Sequence, residues 1–250
     1  MIETKEITVN IGVKMPRTFM HISDAHVAIY NEARTKFWTP GSGVLPKDSF
    51  RELLGYADES KLDCVFLTGD AIDYMDDKNI AFLEKTFTET KTDILYAYGN
   101  HEGLCETGKY YSKYINLMGD TPDFIVRDYG DFLVAAVDDS DVSVTPSQVE
   151  KLRNLLTRGL PVILIMHIPV SNEDMTPWIE EHWGGDFRIG KDTDSESTKE
   201  FCNLIKSEPL IKAVFAGHIH YGLEGRLNEN ANEYTVAPAF LEVCNIIHVI

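Results

Sequence analysis

Aspartate, asparagine and histidine recur at five short turns in this 250-residue chain. They are Asp24-Ala25-His26, Gly69-Asp70-Ala71-Ile72-Asp73, Gly99-Asn100-His101-Glu102, the single His167, and Gly217-His218-Ile219-His220. Carboxylate oxygens and imidazole nitrogens are donors for first-row divalent metals, and a carboxylate can bridge two ions. Cysteine is absent from all five turns, so a closed structural zinc knot is not expected; sites rich in N and O donors more often keep a position open for chemistry. The first two turns carry little information alone. The last carries most, since with 8 His and 17 Gly in the chain a chance G-H-x-H would arise in roughly two such chains in a hundred. The glycines at 69, 99 and 217 suit sharp turns where backbone passes close to a bound group.

The elements that must position these turns are legible as β-branched runs. Runs at 17–22, 64–67, 94–97, 132–137, 162–166 and 213–215 read as strands buried on both faces. Helical spacing of apolar residues appears at 49–57, 79–87, 146–156 and 198–205, with Thr145 and Pro146 forming a helix start. This alternation predicts an α/β architecture. In open α/β sheets ligands gather outside the carboxyl ends of strands, and five of the runs end in the polar turns. After Gly222 the pattern becomes short strands, at 226–227, 234–236 and 241–249, a hairpin or meander. Two segments, 30–47 and 171–197, fit neither pattern. Their Trp38, Trp178 and Trp183 argue against disorder, and long ordered loops tend to be lids.

The ordered set D-x-H, G-D-x-x-D, G-N-H-[D/E], H and G-H-x-H resembles the calcineurin-like metallophosphoesterase superfamily, from Asp24 to His220. The resemblance implies one domain over 1–250, a four-layer α/β sandwich of two mixed β-sheets flanked by helices. The late strands would fit the second sheet. It also implies two metal ions, Mn, Fe or Zn. Asp24, His26 and His220 would hold the first, Asn100, His167 and His218 the second, and Asp70 would bridge them. The ions would clamp the phosphoryl oxygens and activate a bridging hydroxide for in-line attack. His101 would protonate the leaving group and Asp73 would orient that histidine. The protein-phosphatase branch places an Arg after the second Asp of G-D-x-x-D. Here Tyr74 and Met75 follow Asp73, so a small phosphodiester or phosphomonoester is the expected substrate, the diester slightly favoured.

Taken singly, His167 reads as a satisfied buried histidine, Asp24 as a helix cap and Asn100 as a turn residue that tolerates positive φ. Their order across five strand ends is what sets them apart. His21 and His248 fall inside strand runs and read as structural. His182 and Arg188 lie in the 171–197 segment and are candidate substrate contacts, because pocket lids carry Arg and aromatic residues.

Composition narrows the classes. The net charge of -17 repels phosphate backbones and anionic membranes at long range, which makes nucleic acid an unlikely partner and excludes a basic membrane binder. It does not bar a small phosphoester, because bound metal ions reverse the local field. Cys64, Cys105, Cys202 and Cys244 form no C-x-x-C pair and read as reduced, mostly buried thiols. Residues 1–6 carry no apolar h-region and no run approaches membrane-spanning length, so a cytoplasmic protein is the expectation. The competing class is a non-catalytic metal-binding scaffold of the same fold, which would be expected to have lost ligands.

Overall fold

The computed structural model describes residues 2–103 and 123–250. Two mixed sheets face each other. The first has the order β1 (Glu3–Val9), β11 (Val243–Val249), β2 (Arg17–Ile22), β3 (Cys64–Thr68), β4 (Ile94–Ala97). The second has the order β5 (Phe124–Asp128), β6 (Leu133–Val137), β7 (Val162–Ile165), β8 (Ile211–Ala216), β10 (Asn232–Thr235), β9 (Glu224–Arg226). The strands that end in polar turns are parallel to their neighbours: β2 with β3 and β3 with β4 in one sheet, β7 with β8 in the other.

The period-two alternation of each strand explains the layers. Phe19, Cys64, Phe66, Ile163, Ile165 and Phe215 point between the sheets into one apolar cluster. Met20, Ile22, Val65 and Leu67 point the other way, against helices α2 (Pro46–Ser60) and α3 (Asp77–Glu89). Val162, Leu164 and Val214 point outward against α5 (Pro146–Leu156) and α7 (Glu196–Ser207). The result is the expected four-layer α/β sandwich. The helices start where local chemistry dictates. Thr145 and Gln148 form a reciprocal capping box on α5, and Asp76 accepts from the amides of Lys78 and Asn79 on α3.

Three expectations change in detail. The late strands divide: β9 and β10 form an antiparallel pair in the second sheet, but β11 crosses into the first, between β1 and β2. The segments 30–47 and 171–197 are not plain loops. They hold α1 (Glu32–Trp38) and α6 (Thr176–His182), and the end of 30–47 already belongs to α2. Helices of seven residues are too short to display an apolar period, and α1 buries no residue; its start is marked by Asn31, whose side chain accepts from the Arg34 amide. Cys64, Cys202 and Cys244 are buried free thiols, while Cys105 lies outside the described residues. Among the described residues no helix is long and apolar enough to cross a membrane.

Candidate metal centre

The carboxyl ends of β2, β3, β7 and β8 are laced together by backbone. Asp24 and His26 donate their amides to the carbonyls of Gly69 and Asp70, and Gly217 donates to His167. The sheets are joined across the gap by side chains. His167 Nδ1 donates to Thr68 O at 2.7 Å, and Asp24 Oδ2 accepts from the His218 amide at 3.0 Å. Such packing leaves no room for a Cβ at any of the three glycines, and one on Gly69 would lie 2.7 Å from the Gly99 Cα. One on Gly217 would lie 2.7 Å from Asp24 Oδ2, and one on Gly99 would lie 2.5 Å from the Asp70 amide nitrogen.

The backbone is forced at the same places. Nine non-glycine residues among those described have positive φ, and five of them are Asp24, His26, Asp70, His218 and His220, with φ between 46° and 70°. That region is sparsely populated, costs about 1–3 kcal/mol per residue and collects at functional sites. Here it turns five donor side chains towards one place.

The donors form two groups. In the first, His26 Nε2 and His220 Nε2 are 3.0 Å apart, and Asp24 Oδ1 lies 3.3 Å from His220 Nε2. In the second, His167 Nε2 is 3.1 Å from Asn100 Oδ1, 3.2 Å from His218 Nδ1 and 3.3 Å from Asp70 Oδ2. Asp70 Oδ2 is also 3.7 Å from His26 Nε2, so one carboxylate oxygen faces both groups.

These contacts fit cations better than hydrogen bonds. His167 Nδ1 meets a carbonyl, so it carries the ring proton and leaves Nε2 a lone pair. In the neutral ring that lone pair faces the oxygens of Asn100 and Asp70, so these electron-rich atoms converge on a place that a cation, a proton or a metal ion, must fill. Asp24 Oδ1 and His26 Nδ1 are buried without a hydrogen-bond partner. Asp24, Asp70 and Asp73 are all buried, and among the described residues Arg34 is the one Lys or Arg paired with any of them. Buried carboxylates demand paired charge. Three-residue sets able to hold an ion are Asp24, His26 and His220; His26, Asp70 and His101; and Asp70, His167 and His218.

The field of the carboxylates governs the ring protons. Burial opposes charge on His167, yet Asp70 and Asp24 outweigh it and push that histidine up to about 10. Burial would also raise Asp70, but the charge of His167 beside it holds it well below the usual carboxylate range. His218, where burial and the charge of His167 act together, falls to about 3. Burial lowers His101, while its bond to Asp73 and the charge of Asp70 raise it and prevail. A centre that draws protons this strongly draws metal ions for the same reason.

His101 directs Nε2 towards Asp70 Oδ2 at 3.9 Å. Its Nδ1 donates at 2.7 Å to the backbone carbonyl of Asp73, and the Asp73 carboxylate stands 3.3 Å away. The tightest bonds of that carboxylate go elsewhere, to Arg34 and to Trp38 Nε1, both on α1. His182 stacks on Trp178 and its Nδ1 meets the Trp178 carbonyl, while Arg188 is bonded to Ser171 and Glu180. These contacts tie both candidates to the 171–182 stretch. His21 packs between the sheets, bonded to Thr68, and His248 on β11 pairs with Glu6 on the edge strand β1.

Glu102, the last residue of the third turn, and three residues outside the turns had no role assigned from the sequence. Glu102 is buried and accepts from the amides of Asp70, Ile72 and Gly99. Asp139 is buried and accepts from the amides of His167 and Ile168 at 2.9 Å each. The strand-end rule would have found Asp139, which follows the run 132–137. Arg34 and Trp38 carry no such signal, because their link to Asp73 spans 39 and 35 positions.

The sequence profile of calcineurin-like phosphoesterases matches residues 17–222. The chain belongs to this family. The family and the His/Asp donor groups together suggest a dinuclear metal centre. No curated protein sequence matches this phosphoesterase. Among solved structures, a dimetal phosphatase from Danio rerio superposes with a TM-score of 0.62 at 16% identity, over 90% of this chain and 88% of that one. A purple acid phosphatase from yellow lupin (Lupinus luteus) seeds gives 0.56 at 16% identity, over 88% and 44%. A putative 5'-nucleotidase from Staphylococcus aureus gives 0.53 at 11% identity, over 90% and 49%. The phosphoesterase chain thus spans less than half of the lupin and staphylococcal chains. At these identities the likeness is one of fold.

Proposed function

We propose that this chain is a dinuclear metal-dependent hydrolase of small phosphoesters. The observation that carries the reading is the convergence of Asp24, His26 and His220 on one side and Asn100, His167 and His218 on the other, with Asp70 Oδ2 within 3.7 Å of both. In this reading the first set would hold one ion and the second set the other, with Asp70 available to both. The donor chemistry admits Mn, Fe or Zn. Ions bound there supply Lewis-acid charge for phosphoryl oxygens and make water a nucleophile near neutral pH.

The chain's own groups do the rest. Thr68 O fixes the tautomer of His167, and Asp73 Oδ1 stands 3.6 Å from His26 Nδ1, outside hydrogen-bond reach. Asp139 and Glu102 fix the backbone on which His167 and Asp70 ride. His101 presents Nε2 to the centre and delivers a proton to the departing oxygen. Asp73 is a positioning residue for it. Arg188 and His182 belong to the outer wall and would touch only a substrate larger than the phosphoryl group.

A non-catalytic scaffold would have no use for seven strained or converging donors. The decisive experiment is to load purified protein with Mn²⁺, measure bound metal, and assay bis(p-nitrophenyl) phosphate and p-nitrophenyl phosphate. Two ions per chain and turnover of at least one substrate are expected, and the ratio of the two rates ranks diester against monoester. Metal-loaded protein that cleaves neither, with Asp70→Asn indistinguishable from wild type, would favour the scaffold.

A further inference from the structure

The reading above leaves a set of aromatic rings unused. Trp38 lies flat on His26, with ring centroids 3.9 Å apart and planes at 11°. Phe187 lies on His218, at 4.7 Å and 23°. Each covers one candidate ligand ring, one in each donor group. His220 meets Trp38 at 5.4 Å, Trp183 at 5.6 Å and Phe240 at 5.9 Å, each edge-on. Trp183 in turn packs on Phe187 at 5.1 Å.

Coordination does not call for such a wall. The ligand histidines need acceptors for their second nitrogens, and for His167 this is Thr68 O. Trp38 and Phe187 are accounted for as cover over buried rings. Trp183 is not: it is 38% exposed at the edge of a site made of aspartate and histidine. Ligand pockets combine a few placed polar groups with aromatic surface, and an open indole next to a phosphoryl-binding centre offers a face to whatever the phosphate is esterified to.

Resting on the phosphoesterase reading, we infer that Trp183, backed by Phe187, is a stacking platform for a planar ring on the substrate's organic group. The centre is thereby selective for aryl and nucleoside phosphates over phosphates of aliphatic alcohols. Stacking is indifferent to which ring it receives, because every such ring has a π-face. Long nucleic acids are disfavoured as the source of the ring by the net charge of -17.

The test compares metal-loaded wild type, Trp183→Ala and Trp183→Phe, after equal metal content has been verified. kcat/KM is measured for p-nitrophenyl phosphate, adenosine 5′-monophosphate and glycerol phosphate. Equilibrium binding of adenosine 5′-monophosphate and of inorganic phosphate is measured separately. Trp183→Ala should lower kcat/KM about tenfold for a ring-bearing ester and leave glycerol phosphate within about twofold, with Trp183→Phe restoring most of the loss. A loss confined to the aryl ester places the ring next to the ester bond; one confined to the nucleotide places it beyond the sugar. The same factor for all three esters would overturn the platform while the phosphoesterase reading stands. No turnover of any ester, with nucleotide binding still weakened about tenfold by Trp183→Ala and phosphate binding unchanged, would overturn the phosphoesterase reading and keep the platform. No turnover and no effect on binding would overturn both.

Discussion

The guanidinium of Arg34 grips the carboxylate of Asp73 through both Nε and Nη2. Trp38, one helical turn further along α1, bonds the same carboxylate at 2.7 Å. A helix with no buried residue is therefore held to the site through the Asp73 carboxylate as well as through the Trp38 ring on His26. Arg34→Ala should loosen α1 and lower stability by about 1–2 kcal/mol, a range reduced because the Arg34 side chain is 43% exposed. Arg34→Lys should not rescue it, because an ammonium cannot make the forked pair. Urea unfolding with metal held saturating checks this, and a lysine variant equal to wild type would refute the latch.

Asp70 is the donor common to both groups. Asp70→Asn removes the charge that faces His26 and His167. Bound metal should fall below two ions per chain, and turnover should drop by more than the 10–100-fold typical of losing an outer-shell partner. Metal analysis alongside kinetics tests both halves.

Asp139 touches no donor atom directly, yet both its oxygens accept amides at the His167 turn. Asp139→Asn would set an NH₂ group against one of those N–H groups. Affinity for the second ion should weaken about 10–100-fold with the first ion retained. A metal titration that showed equal loss of both ions would contradict the assignment.

His101 faces the centre from outside the two main groups. His101→Ala should leave metal content intact and cut kcat by about 10²–10⁴ for an alkyl phosphate. The loss should be far smaller for p-nitrophenyl phosphate, whose leaving group needs no proton. Equal losses on the two substrates would remove the acid role.

Glu233 lies far from the chemistry. Its oxygens accept from the Val170 amide and Asn172 Nδ2, each at 2.8 Å, and burial pushes it from 4.5 up to about 8. A raised folded pKa favours the protonated form, so this contribution is complete below about pH 4.5 and is lost as pH rises through about 8. Between those limits wild type should lose on the order of a few kcal/mol that Glu233→Gln does not. Chemical unfolding of chelator-treated proteins at several pH values gives the comparison. Parallel pH profiles would show that Glu233 is not the source.

Sequence alone determined the layers and most of the centre. Strand runs with period two and helices with clear starts follow from local chemistry, and the turns that end those strands carry Asp24, His26, Asp70, Asn100, His167, His218 and His220. Parallel strands deliver such turns to one edge, so position in sequence already implied position in space. Tertiary structure alone decided what surrounds the donors. The place of β11 in the first sheet has no local signal, since its partners β1 and β2 lie more than 200 positions away in sequence. Arg34 and Trp38 reach Asp73 from a helix too short to announce itself, and Trp183 and Phe187 reach His220 and His218 from another segment. Periodicity and turn chemistry act over a few residues and are written locally. Which distant side chain covers a buried histidine depends on how two sheets and their connecting segments close on each other, and no local pattern records that.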